Sequence, residues 1–128
     1  DSRDVDSPRP LWRPLEEETV IYELRTYIIV PGRMADIERR FSEVTLRLFR
    51  KHGMEVVGFW RTVEAGEPAD ELVYVLAHHD EAAREASFAG FRSDPEWVQA
   101  KAESERNGAI VARVTSKMLA PTAYSPLQ

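Results

Sequence analysis

Apolar and polar positions follow two periods along this chain. Residues 19–30 (TVIYELRTYIIV) and 71–79 (ELVYVLAHH) are dense in β-branched and aromatic side chains, which predicts strands. Between 33 and 52, Met34, Ile37, Phe41, Val44 and Leu48 recur at three- and four-residue steps, the mark of one face of an amphipathic helix. His52-Gly53 stops it, since glycine past a helix end takes the left-handed conformation without strain. Residues 54–63 read as a second strand, and 65–70, with Gly66 and Pro68, as a polar turn. Asp80 is an N-cap for a helix over 81–92. Asp94-Pro95 starts a further helix to about 106, because proline at the first helical position loses no needed donor. Asn107-Gly108 ends that helix, 109–118 is a fourth strand, and 121–128 is a tail with two prolines.

The order β-α-β-β-α-β predicts an α+β fold, the ferredoxin-like split βαβ. Such a sheet carries helices on one face, so its other face should turn polar if water meets it. The third strand does not do this. Leu72, Tyr74 and Leu76 point one way, Val73, Val75 and Ala77 the other, and both sets are apolar. One chain has helix enough for one face, so a second copy is expected on the other, sheet against sheet, as a homodimer. Residues 1–18 stand apart: Pro8, Pro10 and Pro14 precede the acidic run Glu16, Glu17, Glu18. They read as an extended or disordered tail, or as an arm docking through Leu11 and Trp12. The single folded domain is expected over 19–126.

Composition narrows the function classes. The chain has 128 residues and a formal net charge of -5, from 17 basic and 22 acidic residues. That balance argues against nucleic acid and anionic membrane surfaces as partners, since both attract basic footprints. With no cysteine, disulfides, thiolate metal sites and cysteine nucleophiles are excluded. No apolar run approaches the roughly 20 residues that span a bilayer. The start, DSRDVDSPRP, lacks the apolar stretch of a signal peptide, so a cytoplasmic location is expected. Fourteen of the basic residues are Arg and three Lys, which points to a GC-rich, bacterial genome.

The candidate chemistry lies on the strands. His78 ends the third strand on the side of Tyr74; it is either a strand-end residue bonded to neighbouring backbone or a proton carrier, since imidazole titrates near neutrality. His79 faces the opposite way, so the two cannot share a metal, and no metal site is expected. His52 reads as a helix C-terminal cation. Glu23, Arg25 and Tyr27 share one face of the first strand, opposite Tyr22, Leu24 and Thr26. Charges on a central strand must be paired. They form either an ion pair at the dimer interface or the polar lining of a ligand cavity. Gly58 leaves room for a ring or ligand beside Trp60, read as sharing a face with Gly58 and Val56. Phe88, Phe91 and Trp97 of the second helical region pack in the core or line an apolar cleft between helices and sheet. Glycine-rich nucleotide loops and a nucleophile elbow are absent from the sequence.

Taken together, IYELRTY (21–27), PGR (31–33), RF (40–41), KHGM (51–54), VGFW (57–60), LVYVLAH (72–78), AAREASFAGFRSDPEW (82–97) and SxxLxPTxYSP (116–126) resemble the NIPSNAP family. The resemblance implies a dimeric α/β barrel, in which two ferredoxin-like sheets face each other. The wider superfamily holds cofactor-free monooxygenases, cyclases, isomerases and decarboxylases, and haem enzymes. The fold alone does not choose between them. The expected function is a homodimer binding a hydrophobic small molecule between sheet and helices, as a cofactor-free monooxygenase, cyclase or isomerase of secondary metabolism. In that reading His78 or Glu23 moves a proton and Arg25 stabilises an enolate or phenolate. Tyr22, Tyr27, Trp60, Tyr74, Phe88, Phe91 and Trp97 would bind the substrate, and no cofactor is expected. The alternative is a non-catalytic ligand-binding or protein-interaction module; haem held by a histidine is a third class.

Overall fold

The computed structural model describes residues 20–63 and 70–128. The tail expected over 1–18 and the core of the polar turn around Gly66 and Pro68 lie outside them. The β-branched runs form β1 (Ile21–Ile29), β2 (Glu55–Arg61), β3 (Glu71–His78) and β4 (Val111–Leu119). All neighbours pair antiparallel in the order β2-β3-β1-β4. Across the sheet lie α1 (Met34–Arg40), α2 (Leu46–Lys51), α3 (Glu81–Ser93) and α4 (Pro95–Ser104). This is the ferredoxin-like arrangement.

Local chemistry sets the helix boundaries. The Asp80 carboxylate accepts from the Ala83 amide at 2.8 Å and starts α3. Asp94 accepts from the Glu96 amide at 2.9 Å and, with Pro95, restarts the chain as α4. Gly53 follows α2 at φ 86°, where a β-carbon would be strained.

The register places Glu23 opposite Leu76, Arg25 opposite Tyr74 and Tyr27 opposite Leu72. These six share the helix-covered face, where Leu72, Tyr74 and Leu76 pack with Ile37, Leu48, Phe49, Phe88 and Phe91. Burying each such side chain is worth roughly 1.5–3 kcal/mol, so this cluster is the main source of stability. Along β3 the buried positions alternate with half-buried Val73, Val75 and Ala77, which occupy the other face.

Two irregularities shift side chains from their expected places. The register of β2 against β3 slips between Val56 and Gly58. One extra residue flips the alternation, so Val56 opposes Leu76 on the helix side while Gly58 and Trp60 oppose Val75 and Val73 on the open side. Val56 and Trp60 therefore do not share a face, contrary to strict alternation. Between α1 and α2 the helix makes a π turn, Phe41–Thr45. The wider turn shifts the buried stripe beyond it: Thr45 and Phe49 are buried, while Val44 is half-buried against the edge of the core.

Candidate functional site

The site begins at Glu23, in the middle of β1, with no exposed surface. A buried carboxylate must be matched by donors. His78 Nε2–H donates to its Oε1 at 2.9 Å, and Arg84 Nε to the same oxygen at 2.9 Å. Arg84 Nη2 donates to Oε2 at 3.0 Å, Arg25 Nη1 at 2.9 Å and Ser116 Oγ at 2.7 Å. Burial alone would raise the Glu23 pKa, but the donors from His78, Arg84, Ser116 and Arg25 outweigh it. They hold the carboxyl well below the usual carboxylate range. Glu23 is a permanent anion, not a group that exchanges protons near neutrality.

Arg25 carries the network onward. Its Nε donates to the Tyr74 hydroxyl at 2.7 Å, and Tyr74 donates to the Tyr27 hydroxyl at 3.0 Å. Burial favours the neutral form of Arg25, yet Tyr74, Tyr27 and Glu23 overcome this, and the guanidinium stays charged. Burial pushes the Tyr74 phenol well above its ordinary value, helped by Tyr27 and opposed by Arg25, so Tyr74 stays protonated. The Arg25 guanidinium also lies 5.0 Å from the Phe88 ring centroid, within cation–π range.

The network ends on a cavity of about 180 Å³ between sheet and helices. Arg25, Tyr27, Phe88, Phe91 and Trp97 line it, with Phe41 and Thr45 from the π turn and Arg40, Phe49, Arg92 and Lys101 from the helices around. Phe91 and Trp97 contact at 4.6 Å between centroids, and Arg40 lies 5.1 Å from the Trp97 ring.

Most of the residues singled out from sequence meet here, in two layers. Arg25, Tyr27, Phe88, Phe91 and Trp97 line the cavity, while Glu23, His78 and Tyr74 stand behind it. Tyr22 and Trp60 lie on the opposite face of the sheet. There the Tyr22 hydroxyl donates to the Gln128 carbonyl at 2.8 Å, and the Trp60 ring covers Gly58, where an added β-carbon would meet it at 2.8 Å. The room beside Gly58 is filled by the chain's own ring. An ion pair at a sheet–sheet interface is not what Glu23 and Arg25 form, because both lie under the helices. Nor is His78 bonded to backbone: its partner is the Glu23 carboxylate. His52, expected to be a helix-end cation, faces Asp94 through Nε2 at 2.8 Å. Lys51, first, then His52 and the Glu96 amide hold Asp94 well below the ordinary aspartate range.

Sequence reasoning did not single out Arg84, Ser116, Arg40 or Arg92. Arg84 and Phe88 stand four apart on α3, which is the one local signal that they meet. Ser116 reaches Glu23 only through strand register, where it opposes Arg25. Arg40 stands one turn after Ile37 on α1 and is buried with it, its charge met by Glu105 from 65 residues away, a pairing that no local pattern announces.

Among the described residues no group of three or more His, Asp or Glu could hold a metal ion, and no helix is long and apolar enough to cross a membrane. No curated protein matches the chain. Several solved structures share its fold. A NIPSNAP family protein of unknown function from Agrobacterium tumefaciens superposes with a TM-score of 0.74 at 24% identity, over 88% of this chain and 97% of its own. A NIPSNAP-like domain protein from Burkholderia xenovorans gives 0.73 at 21% identity, over 85% and 90%. SnoaB, a cofactor-independent oxygenase from Streptomyces nogalater, gives 0.54 at 15% identity, over 84% and 98%. The NIPSNAP family model matches residues 22–126, which takes in all four strands but for Ile21 and every side chain of the site, and the chain belongs to the NIPSNAP family.

Proposed function

We propose that this chain works as a homodimer that holds a hydrophobic small molecule in the cleft between sheet and helices. There it converts the molecule without a cofactor, as a monooxygenase, cyclase or isomerase of secondary metabolism. The observation that carries the reading is the aromatic-walled cavity of about 180 Å³ on which the Arg25–Tyr74–Tyr27 chain ends. Arg25 is the cation that steadies an enolate or phenolate among the aromatic walls. Tyr74 donates to the Tyr27 oxygen, so the Tyr27 proton is left for an acceptor in the cavity. His78 and Glu23 are positioning residues: they stand behind the lining and fix the Arg25 guanidinium. The fold likeness to a cofactor-independent oxygenase supports the reaction class by analogy only. The half-buried apolar face of Val73, Val75 and Ala77 supports the homodimer. Bacterial relatives support a bacterial source.

One observation favours the non-catalytic alternative. Among the described residues no histidine or carboxylate lines the cavity, so none of them sets a general base in its wall. Thermal shift against a panel of aromatic and polyketide-like compounds, followed by mass spectrometry of each hit in air, separates the readings. The enzyme reading expects a hit that raises Tm and yields a new product, with Tyr27→Phe slowing turnover by about 10-fold or more. Hits without product favour the binding module. A panel that leaves Tm unchanged removes the cavity from the function.

A further inference from the structure

The same cavity carries a charge pattern that narrows its ligand, resting on the reading that it holds a small molecule. Among the described residues four cations line it, Arg25, Arg40, Arg92 and Lys101, and no carboxylate does. Overall composition does not produce this pattern, since the chain as a whole carries a net charge of -5. Two carboxylates outside the lining serve these cations, and each is shared. Glu23 is divided between Arg25 and Arg84, and Glu105 between Arg40 and Lys101. Arg92 has no carboxylate partner among the described residues; its guanidinium lies 5.6 Å from the Phe88 ring.

Arg40 adds an independent observation. Its side chain is 6% exposed, and Nη1 binds Ser104 and Glu105. Its Nε is the one buried side-chain nitrogen or oxygen among the described residues with no hydrogen-bond partner. A buried donor left unpaired costs about 1–3 kcal/mol, so its persistence calls for an acceptor. We propose that the ligand is an aromatic carboxylate, its acid group received by Arg40 and Arg92 and its ring packed among Phe88, Phe91 and Trp97. Guanidinium is the group suited to a planar carboxylate, and the aromatic walls suit a ring. Size agrees with one or two rings: apolar cavities of about 150 Å³ accept benzene.

Calorimetric titration of the full chain with benzoate and 2-naphthoate, against benzamide and 2-naphthamide, tests this. The amides keep the shape and lose the charge. At least one acid is expected to bind about 10-fold or more tighter than its amide, since a charge-assisted hydrogen bond is worth about 1.5–3 kcal/mol. Arg92→Gln and Arg40→Gln are each expected to remove most of that preference while leaving amide affinity within about twofold. Arg92 is exposed, so Arg92→Gln tests the idea even if Arg40→Gln, which also releases Glu105, fails to fold. Acid and amide binding equally well overturns the anion and leaves the cavity reading standing, whereas an acid preference that survives Arg92→Gln overturns the placement of the acid group on Arg40 and Arg92. If neither acids nor amides bind, both fall.

Discussion

Glu23 keeps its charge where water does not reach, and five hydrogen bonds from four residues depend on it. Removing one partner of such a set leaves the others buried and unmatched. Glu23→Gln is therefore expected to destabilise the fold by about 3–5 kcal/mol, read as a lower urea midpoint. An unchanged midpoint means the network adds nothing. The pH dependence has a fixed sign. The folded carboxyl titrates below its unfolded value near 4.3, so in acid the unfolded chain binds more protons than the folded one. Its contribution is complete above about pH 5 and declines as the pH falls towards the depressed folded value. Asp94 acts in the same direction, held down by Lys51, His52 and the Glu96 amide. In Glu23→Gln the loss of stability between pH 5 and 3 should be shallower than in the parent, with Asp94 sustaining what remains. The pairing of Glu23, Arg25 and Tyr27 on one face was legible from alternation. The partners Arg84 and Ser116 were not, because helix docking and strand register bring them in from 61 and 93 residues away.

The helices hold the site through two local departures from regularity. Phe41 and Thr45 line the cavity from the π turn and Arg40 from the residue before it, and Thr45 Oγ1 donates to the Arg40 carbonyl at 3.2 Å. An uninterrupted helix keeps one apolar stripe, so the sequence pattern predicted Val44 inside. A single wide turn seats Thr45 in the core and leaves Val44 half-buried at its edge, and no residue type announces it. The bulge in β2 hides for the same reason: one inserted residue leaves composition unchanged and exchanges the faces beyond it. Strand and helix order, by contrast, rests on long periodic runs and strong caps, and these were readable. Docking of α3 on α2 depends on Gly90. A β-carbon there would meet His52 Nδ1 at 2.8 Å, while Nε2 of that ring is tied to Asp94. Alanine gains about 1 kcal/mol of helix propensity over glycine, and crowding costs about 1–3 kcal/mol. Gly90→Ala should therefore lower Tm by a few degrees. In a His52→Ala background the clash is gone and the same change should raise Tm. A double-mutant cycle measures the coupling, and equal effects in both backgrounds would show that the ring does not limit the packing.

Among the described residues, one face of the sheet is sealed by helices and the other carries none. Leu24 pairs with Val75 at the centre of the open face, with Thr26 and Val73 one pair along. Trp60, at the edge, is 54% exposed. The apolar character of both sides of β3 was legible in the sequence, but alternation could not tell which side the helices cover. Packing settles it through Leu72, Tyr74 and Leu76. That assignment moves Glu23 and Arg25 away from any sheet–sheet contact and makes Val75 the position at which to test one. A lysine there stays half in water in a single chain, where its stem lies along the sheet and its ammonium reaches solvent. Between two facing sheets the same ammonium is buried without a partner, at a cost of several kcal/mol per copy. The parent chain is expected to scatter light as twice 14.6 kDa and Val75→Lys as 14.6 kDa, with the far-ultraviolet circular dichroism of the two alike. A parent that scatters as one chain, or a variant that keeps the doubled mass, would remove the open face as the dimer contact. Loss of the dichroism signal would instead make the second copy part of the folding unit, since a subunit of this size buries only about two thirds of its unfolded surface alone.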